Sequence, residues 1–163
     1  MIKLERCGKP KELTEALEDE LTQTYKETGK SVWDKSYIKK ALLQFSHNKC
    51  CYCEAIIKEE SKFMEVDHFY CKSLYPDKVV EWANLLPSCK KCNGQKRNHD
   101  VGEFPIINPT VDNPQDYLYF EDYRYKSKDK NTKGQKTINV LNLNDIDRFV
   151  ALNRIVSLPS SYK

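Results

Sequence analysis

Seven cysteines punctuate the 163-residue chain, and five of them fall in two tight groups. Cys50-x-x-Cys53 and Cys89-x-x-Cys92 each place two sulfurs on one tight turn, with 35 residues between the pairs. Two such turns complete a tetrahedral shell of four sulfurs, each about 2.3 Å from a central ion. Soft thiolates select zinc over magnesium or calcium. The four cysteines are therefore predicted to hold a structural Zn²⁺ that clamps the intervening segment into a compact finger. A redox CxxC is the alternative for either pair alone, but no βαβ pattern surrounds them. Cys51 could replace its neighbour as a ligand through a register shift, and His47 or His99 could replace a thiolate. Cys7 and Cys71 read as free or buried thiols.

A second set of residues is interleaved with the cysteines. Asp67-His68 lies between the pairs, followed by Asn84 at 16 positions and Asn93 nine further on. These types suit phosphodiester hydrolysis, which needs an activated water, neutralisation of charge on the leaving oxygen and in-line geometry. A histidine near neutral pKa can take the proton of the water. A hard divalent cation, Mg²⁺ or Mn²⁺, takes oxygen ligands from a carboxylate and an amide carbonyl. With the Asp-His pair on a strand and Asn93 on a facing helix, residues 67 and 93 could share that ion while His68 faces the water.

The elements that must position these groups are partly legible. Leu13, Leu17, Leu21 and Tyr25 recur every fourth residue and predict a helix over 10–27, with Pro10 in its first turn and Gly29 at its end. A second helix is expected over 34–46, capped by Asp34, with Ile38, Ala41, Leu42 and Phe45 inward. Lys58 to Lys62 reads as a polar turn. The stretch 63–69, FMEVDHF, reads as a strand. Residues 89–98 read as the start of a helix. Prolines 105, 109 and 114 make an extended, turn-rich connection. Tyr117 to Phe120 suggests a strand, the basic stretch 124–136 a mobile loop or hairpin tip, and Leu141 to Ile155 one helix or two. The whole is one domain: a helical N-terminal extension (10–47), a zinc-stapled core (48–104) and a C-terminal extension (105–163).

Composition bounds the rest. Hydrophobic residues make up 39% and charged residues 31%, with 27 Lys and Arg against 24 Asp and Glu, for a net charge of +3. No apolar run approaches membrane-spanning length. The N-terminal residues carry no apolar stretch behind their basic ones, so neither an export signal nor a transit peptide is expected and the protein is expected in the cytoplasm. Positive charge is clustered: residues 82–99 contain Lys90, Lys91, Lys96 and Arg97 without an acid, and 124–136 carry six cations against one acid. Such clusters give a salt-sensitive, largely sequence-independent grip on phosphates.

The order Asp-His, Asn, Asn interleaved with two CxxC pairs resembles the HNH nucleases of the ββα-metal group. The likeness narrows over Lys49-Cys50-Cys51-Tyr52-Cys53-Glu54, Val66-Asp67-His68-Phe69 with Lys72-Ser73, Tyr75-Pro76, Trp82-Ala83-Asn84-Leu85-Leu86, Ile107-Asn108-Pro109-Thr110 and Asp112-Asn113-Pro114. These resemble the HNH proteins of Septu defence systems and retrons. The resemblance implies an α+β fold with a ββα-metal HNH core and a structural zinc on four cysteines, flanked by N-terminal and C-terminal helices. It implies His68 as general base, Asp67 and Asn93 as ligands of a catalytic Mg²⁺ or Mn²⁺, and Asn84 as the residue that orders the loop and orients His68. Lys72 and Lys96 would contact phosphates. The final motif position is Asn93 where others of the group carry histidine, which leaves metal preference open.

The resemblance further implies an anti-phage effector that cuts nucleic acid, DNA in the first instance, with an ABC-type ATPase as partner. In retrons a reverse transcriptase and its DNA join them. The chain has only five glycines and no phosphate-binding Gly-rich loop, so ATP chemistry would belong to the partner. The helices at 10–46 and 141–155 are the candidate docking faces, with Leu13/Leu17/Leu21 as the hypothesised contact. A noncatalytic zinc module that binds nucleic acid or protein, and a standalone restriction-type HNH enzyme, are the competing readings.

Overall fold

The computed structural model describes residues 1–57 and 64–145. Helix α1 spans Glu15–Thr28, later than the Pro10 start that the leucine spacing suggested. Thr14 sets the boundary: its hydroxyl accepts from the Leu17 amide, while Pro10 to Leu13 form a separate turn closed by Leu13 N–H to Pro10 O at 3.0 Å. Gly29 ends the helix at φ 67°, a left-handed conformation that costs glycine nothing, and its N–H returns to Tyr25 O. Helix α2 spans Ser36–Phe45 and buries Ile38, Leu42 and Phe45. Asp34 is not its cap. Lys35 holds that position without a side-chain bond, and Asp34 pairs with Lys39 instead.

The leucine face of α1 is not a docking surface. Leu13 and Leu21 are buried and Leu17 packs on the same apolar cluster, which runs without a break from Met1 to Leu143. Residues 10–47 thus share one core with the cysteine-bearing segment.

Strand β1, Met64–His68, pairs antiparallel with β2, Leu85–Cys89, in a register that sets Asp67 opposite Leu86 and His68 opposite Leu85. Helix α3, Lys90–Lys96, follows β2 directly and packs on both strands. Between β1 and β2 the chain makes two single-turn helices, Pro76–Lys78 and Trp82–Asn84. A second antiparallel pair, β3 (Leu118–Glu121) and β4 (Arg124–Ser127), leads into helix α4 (Thr132–Val140).

The basic stretch 124–136 is therefore the second strand of a hairpin, a single turn at Lys128–Lys130 and the start of α4, rather than a mobile loop, and the hairpin's tip falls just before it at Asp122-Tyr123. Asn131 caps α4 by accepting from Gly134 N, and Thr137, Ile138 and Leu141 are buried. Leu141 to Asn144 form a turn, and the remainder of the expected 141–155 helix lies outside the described residues, as do the expected polar turn 58–62 and Phe63. Among the described residues no helix is long and apolar enough to cross a membrane.

Candidate functional site

The first cysteine pair sits on a knuckle. Lys49 bridges Ile56, Cys50 N–H donates to Ala55 O, and Glu54 turns the chain at φ 63° with its N–H on Cys50 O. The second pair spans the start of α3, where Cys89 is the N-cap and its sulfur accepts from the Cys92 amide at 3.4 Å. The knuckle and the helix start face each other. The sulfurs of Cys50, Cys53, Cys89 and Cys92 all lie within 4.8 Å of one another, and Cys53 Sγ to Cys89 Sγ is 3.7 Å. Thiolates around a tetrahedral Zn²⁺ stand about 3.8 Å apart, so the donor set fits the ion. Cys51, His47 and His99 are not part of this group.

The four thiols cannot all ionise on their own. Burial opposes the charge on Cys50, but hydrogen bonds from the neighbouring thiols outweigh it and hold its pKa well below the ordinary value. Its hydrogen bond and charge in turn push Cys53 and Cys92 up. A divalent cation relieves that repulsion and takes all four as thiolates.

Beside this centre, β1 meets α3 through two matched pairs. Glu65 and Asp67 share one face of the strand by alternation. They meet Asn93 and Lys96, which share one face of the helix by three-residue spacing. Asn93 Nδ2 donates to Glu65 Oε2 at 2.8 Å. Lys96 Nζ donates to Asp67 Oδ1 at 3.0 Å and to the His68 carbonyl at 2.6 Å, and its side chain is 0% exposed. The second carboxylate oxygen of Asp67 accepts from the Tyr52 hydroxyl at 2.6 Å. Burial and the Asp67 charge push the Tyr52 phenol well up, so it stays a donor. Lys96, expected at a phosphate, is thus a buried countercharge instead.

His68 ends β1 and is buried. Its Nε2 lies 2.9 Å from Val79 O. A backbone carbonyl only accepts, so Nε2 carries the proton of the neutral ring and Nδ1 keeps its lone pair. Burial, helped by the charges of Lys72 and Lys96, lowers the His68 pKa to about 4, against the pull of Asp67. The imidazole is therefore neutral at physiological pH.

Asn84 binds three backbone groups across the loop after β1. Its Oδ1 accepts from Tyr70 N at 2.7 Å, and its Nδ2 donates to Tyr70 O at 3.1 Å and to Lys78 O at 2.8 Å. Lys78 precedes Val79, whose carbonyl holds His68, so Asn84 anchors the segment that carries that carbonyl.

Asp67, His68, Lys72, Asn93 and Arg97 line one small cleft of about 40 Å³, with Cys71 at its wall. Asn84 and Lys96 do not line this cleft. Glu65, Tyr52 and Arg97 are the participants that motif reading passes over. Glu65 was legible as the same-face neighbour of Asp67, and Arg97 as part of the acid-free basic run. Tyr52 carried no signal beyond its place inside a CxxC.

Fold and site together define a small mixed protein of helices and two short sheets, with a four-cysteine centre fit for zinc beside a cleft that holds a buried neutral histidine. No family model matches the chain. It is 53% identical over 150 residues to the Septu protein PtuB of Bacillus thuringiensis, across 92% of this chain and 57% of that protein. It is 29% identical over 187 aligned positions to the Septu protein PtuB of Bacillus mycoides strain KBAB4, across 86% of this chain and 62% of the relative. The chain thus spans less than two thirds of the length of either relative. Over those 150 residues the chain is similar to a Septu PtuB protein.

Proposed function

We infer that the chain is a metal-dependent HNH nuclease that serves a Septu anti-phage defence system together with an ABC-type ATPase. The observation that carries the chemistry is the state of His68: neutral, its Nε2–H engaged by Val79 O, and at the wall of a cleft it shares with Asp67, Asn93 and Lys72. The neutral imidazole keeps one free lone pair for a proton from water, although burial holds its basicity below the near-neutral range expected of a general base. The strand–strand–helix order of β1, β2 and α3 behind it supports the HNH reading. The relatives' name supports the defence role.

Oxygen donors suited to Mg²⁺ or Mn²⁺ gather where β1 meets α3. Asn93 and Asp67 would hold the ion, with Glu65 beside them, and Asp67 would share oxygens already bonded to Tyr52 and Lys96. Such an ion, when bound, stabilises negative charge on the phosphate and its leaving oxygen. The chain's own residues do the rest. His68 takes the proton of the attacking water, Asn84 keeps the ring aimed through Lys78 and Val79, and Lys72 and Arg97 offset phosphate charge at the rim. Attack with the 3′-oxygen leaving produces 5′-phosphate and 3′-hydroxyl ends. DNA is the proposed polymer.

A noncatalytic zinc module is the competing reading, favoured by the full engagement of both Asp67 oxygens. Plasmid nicking with Mg²⁺ or Mn²⁺, run beside His68→Ala, decides between them. Cleavage by the wild type that vanishes in the variant supports catalysis. Equal cleavage by both removes His68 from the mechanism.

A further inference from the structure

The loop between α1 and α2, residues 29–35, carries Trp33 to the cleft. Its ring meets the His68 imidazole with centroids 4.6 Å apart and planes at 85°. Lys72 Nζ sits over the same indole, 5.1 Å from the ring centroid. Tyr25 of α1 braces the indole edge-on at 5.8 Å. One side chain from the N-terminal segment therefore touches both the base and the cation of the proposed reaction.

The imidazole is pinned at a single nitrogen by Val79 O. A ring held at one atom can still swing about that bond. An aromatic neighbour at right angles to it restricts the swing, because edge-to-face packing favours one orientation. The Lys72 stem is flexible, and its ammonium over the indole face is held by attraction to the ring quadrupole. A wider groove of about 250 Å³, lined by Trp33, Lys39 and Glu65, adjoins the narrow cleft and shares Lys72 and Asn93 with it. The narrow cleft has room for water but not for a phosphodiester, which leaves the wider groove for the strand.

We propose that Trp33 is a positioning residue of this site, fixing the plane of His68 and the seat of Lys72 where the two clefts join. The proposal rests on the nuclease reading. It makes the α1–α2 segment part of the hydrolytic machinery rather than an accessory to it.

The test compares Trp33→Leu with Trp33→Phe in the full chain loaded with zinc. Initial rates on a labelled DNA oligonucleotide with Mn²⁺ give kcat and KM, and NMR follows the His68 ring protons. Trp33→Leu should lower kcat by about 10- to 100-fold, the scale of a reacting group displaced by an ångström, with a smaller rise in KM from the unseated Lys72. Trp33→Phe should restore most of the rate, and His68 resonances should move in the Leu variant and partly return in the Phe variant. Wild-type rates in Trp33→Leu, an equal loss in both variants, or a rise in KM alone overturns the positioning role. His68 resonances unmoved by Trp33→Leu overturn the contact itself. A wild type no more active than His68→Ala overturns the nuclease reading first, and this proposal with it.

Discussion

Lys96→Met removes a charge from the centre of the molecule rather than from its surface. The Lys96 ammonium is 0% exposed and bonds Asp67, itself 3% exposed, at 3.0 Å. Removing one partner of a buried ion pair costs about 3–5 kcal/mol, because the other charge stays buried and uncompensated. The His68 carbonyl loses its donor as well, and Tyr52 remains as the partner of Asp67. In a chain of this size each kcal/mol moves Tm by about 2–4 °C, so the variant should melt roughly 6–20 °C lower. Asp67→Asn combined with Lys96→Met should recover part of that loss, since neither member is then left charged. Differential scanning calorimetry of both variants at equal zinc content makes the comparison. A single variant that melts within about 2 °C of wild type, with a double variant no different, would refute the buried-pair reasoning. If that variant also bound nucleic acid more weakly, Lys96 would be a phosphate contact after all.

Three further outcomes are expected. Cys89→Ser should abolish stoichiometric zinc and cooperative folding, measured by metal analysis and circular dichroism, whereas His68→Ala keeps both. Asn84→Ala leaves the Tyr70 amide and the Tyr70 and Lys78 carbonyls without their partner, so urea unfolding should show a loss on the order of 3 kcal/mol and nicking should fall with it. The pKa of His68 is depressed from 6.5 to about 4, so its contribution to stability is fully present above pH 6.5 and lost as pH falls toward 4. Over that window, with zinc held saturating, the wild type should lose about 3 kcal/mol more stability than His68→Leu. Parallel pH profiles would contradict the burial of a neutral imidazole.

The cysteine spacing was legible because two residues between ligands leave little choice of geometry, and the four sulfurs do converge. Strand β1 was legible within a residue at its C-terminal end from the β-branched and aromatic run around Asp67-His68. The position of Lys96 was not. A lysine three residues after Asn93 looks the same in sequence whether it faces solvent or a buried carboxylate, and only the packing of α3 on β1 decides. The leucine repeat in α1 announced an apolar face without saying what covers it; the answer is the molecule's own core. The basic run 124–136 misled for a related reason. Its lysines dominate the composition, but Thr137, Ile138 and Leu141 at its end supply the buried face that makes α4 a helix. Trp33 lay in a short loop with no periodicity to mark it, and the two residues it meets at the cleft, His68 and Lys72, stand far along the chain.

Helix α3 is only seven residues long, too short to persist unaided in water. Its first turn is fastened by Cys89 and Cys92, and its last by Lys96 on Asp67. Oxidation or metal starvation at the sulfur end would therefore slacken the helix that carries Asn93, and the cleft would come apart with it. Metal supply and thiol redox state would thus act on the geometry around Asn93 as directly as the side chains that line it.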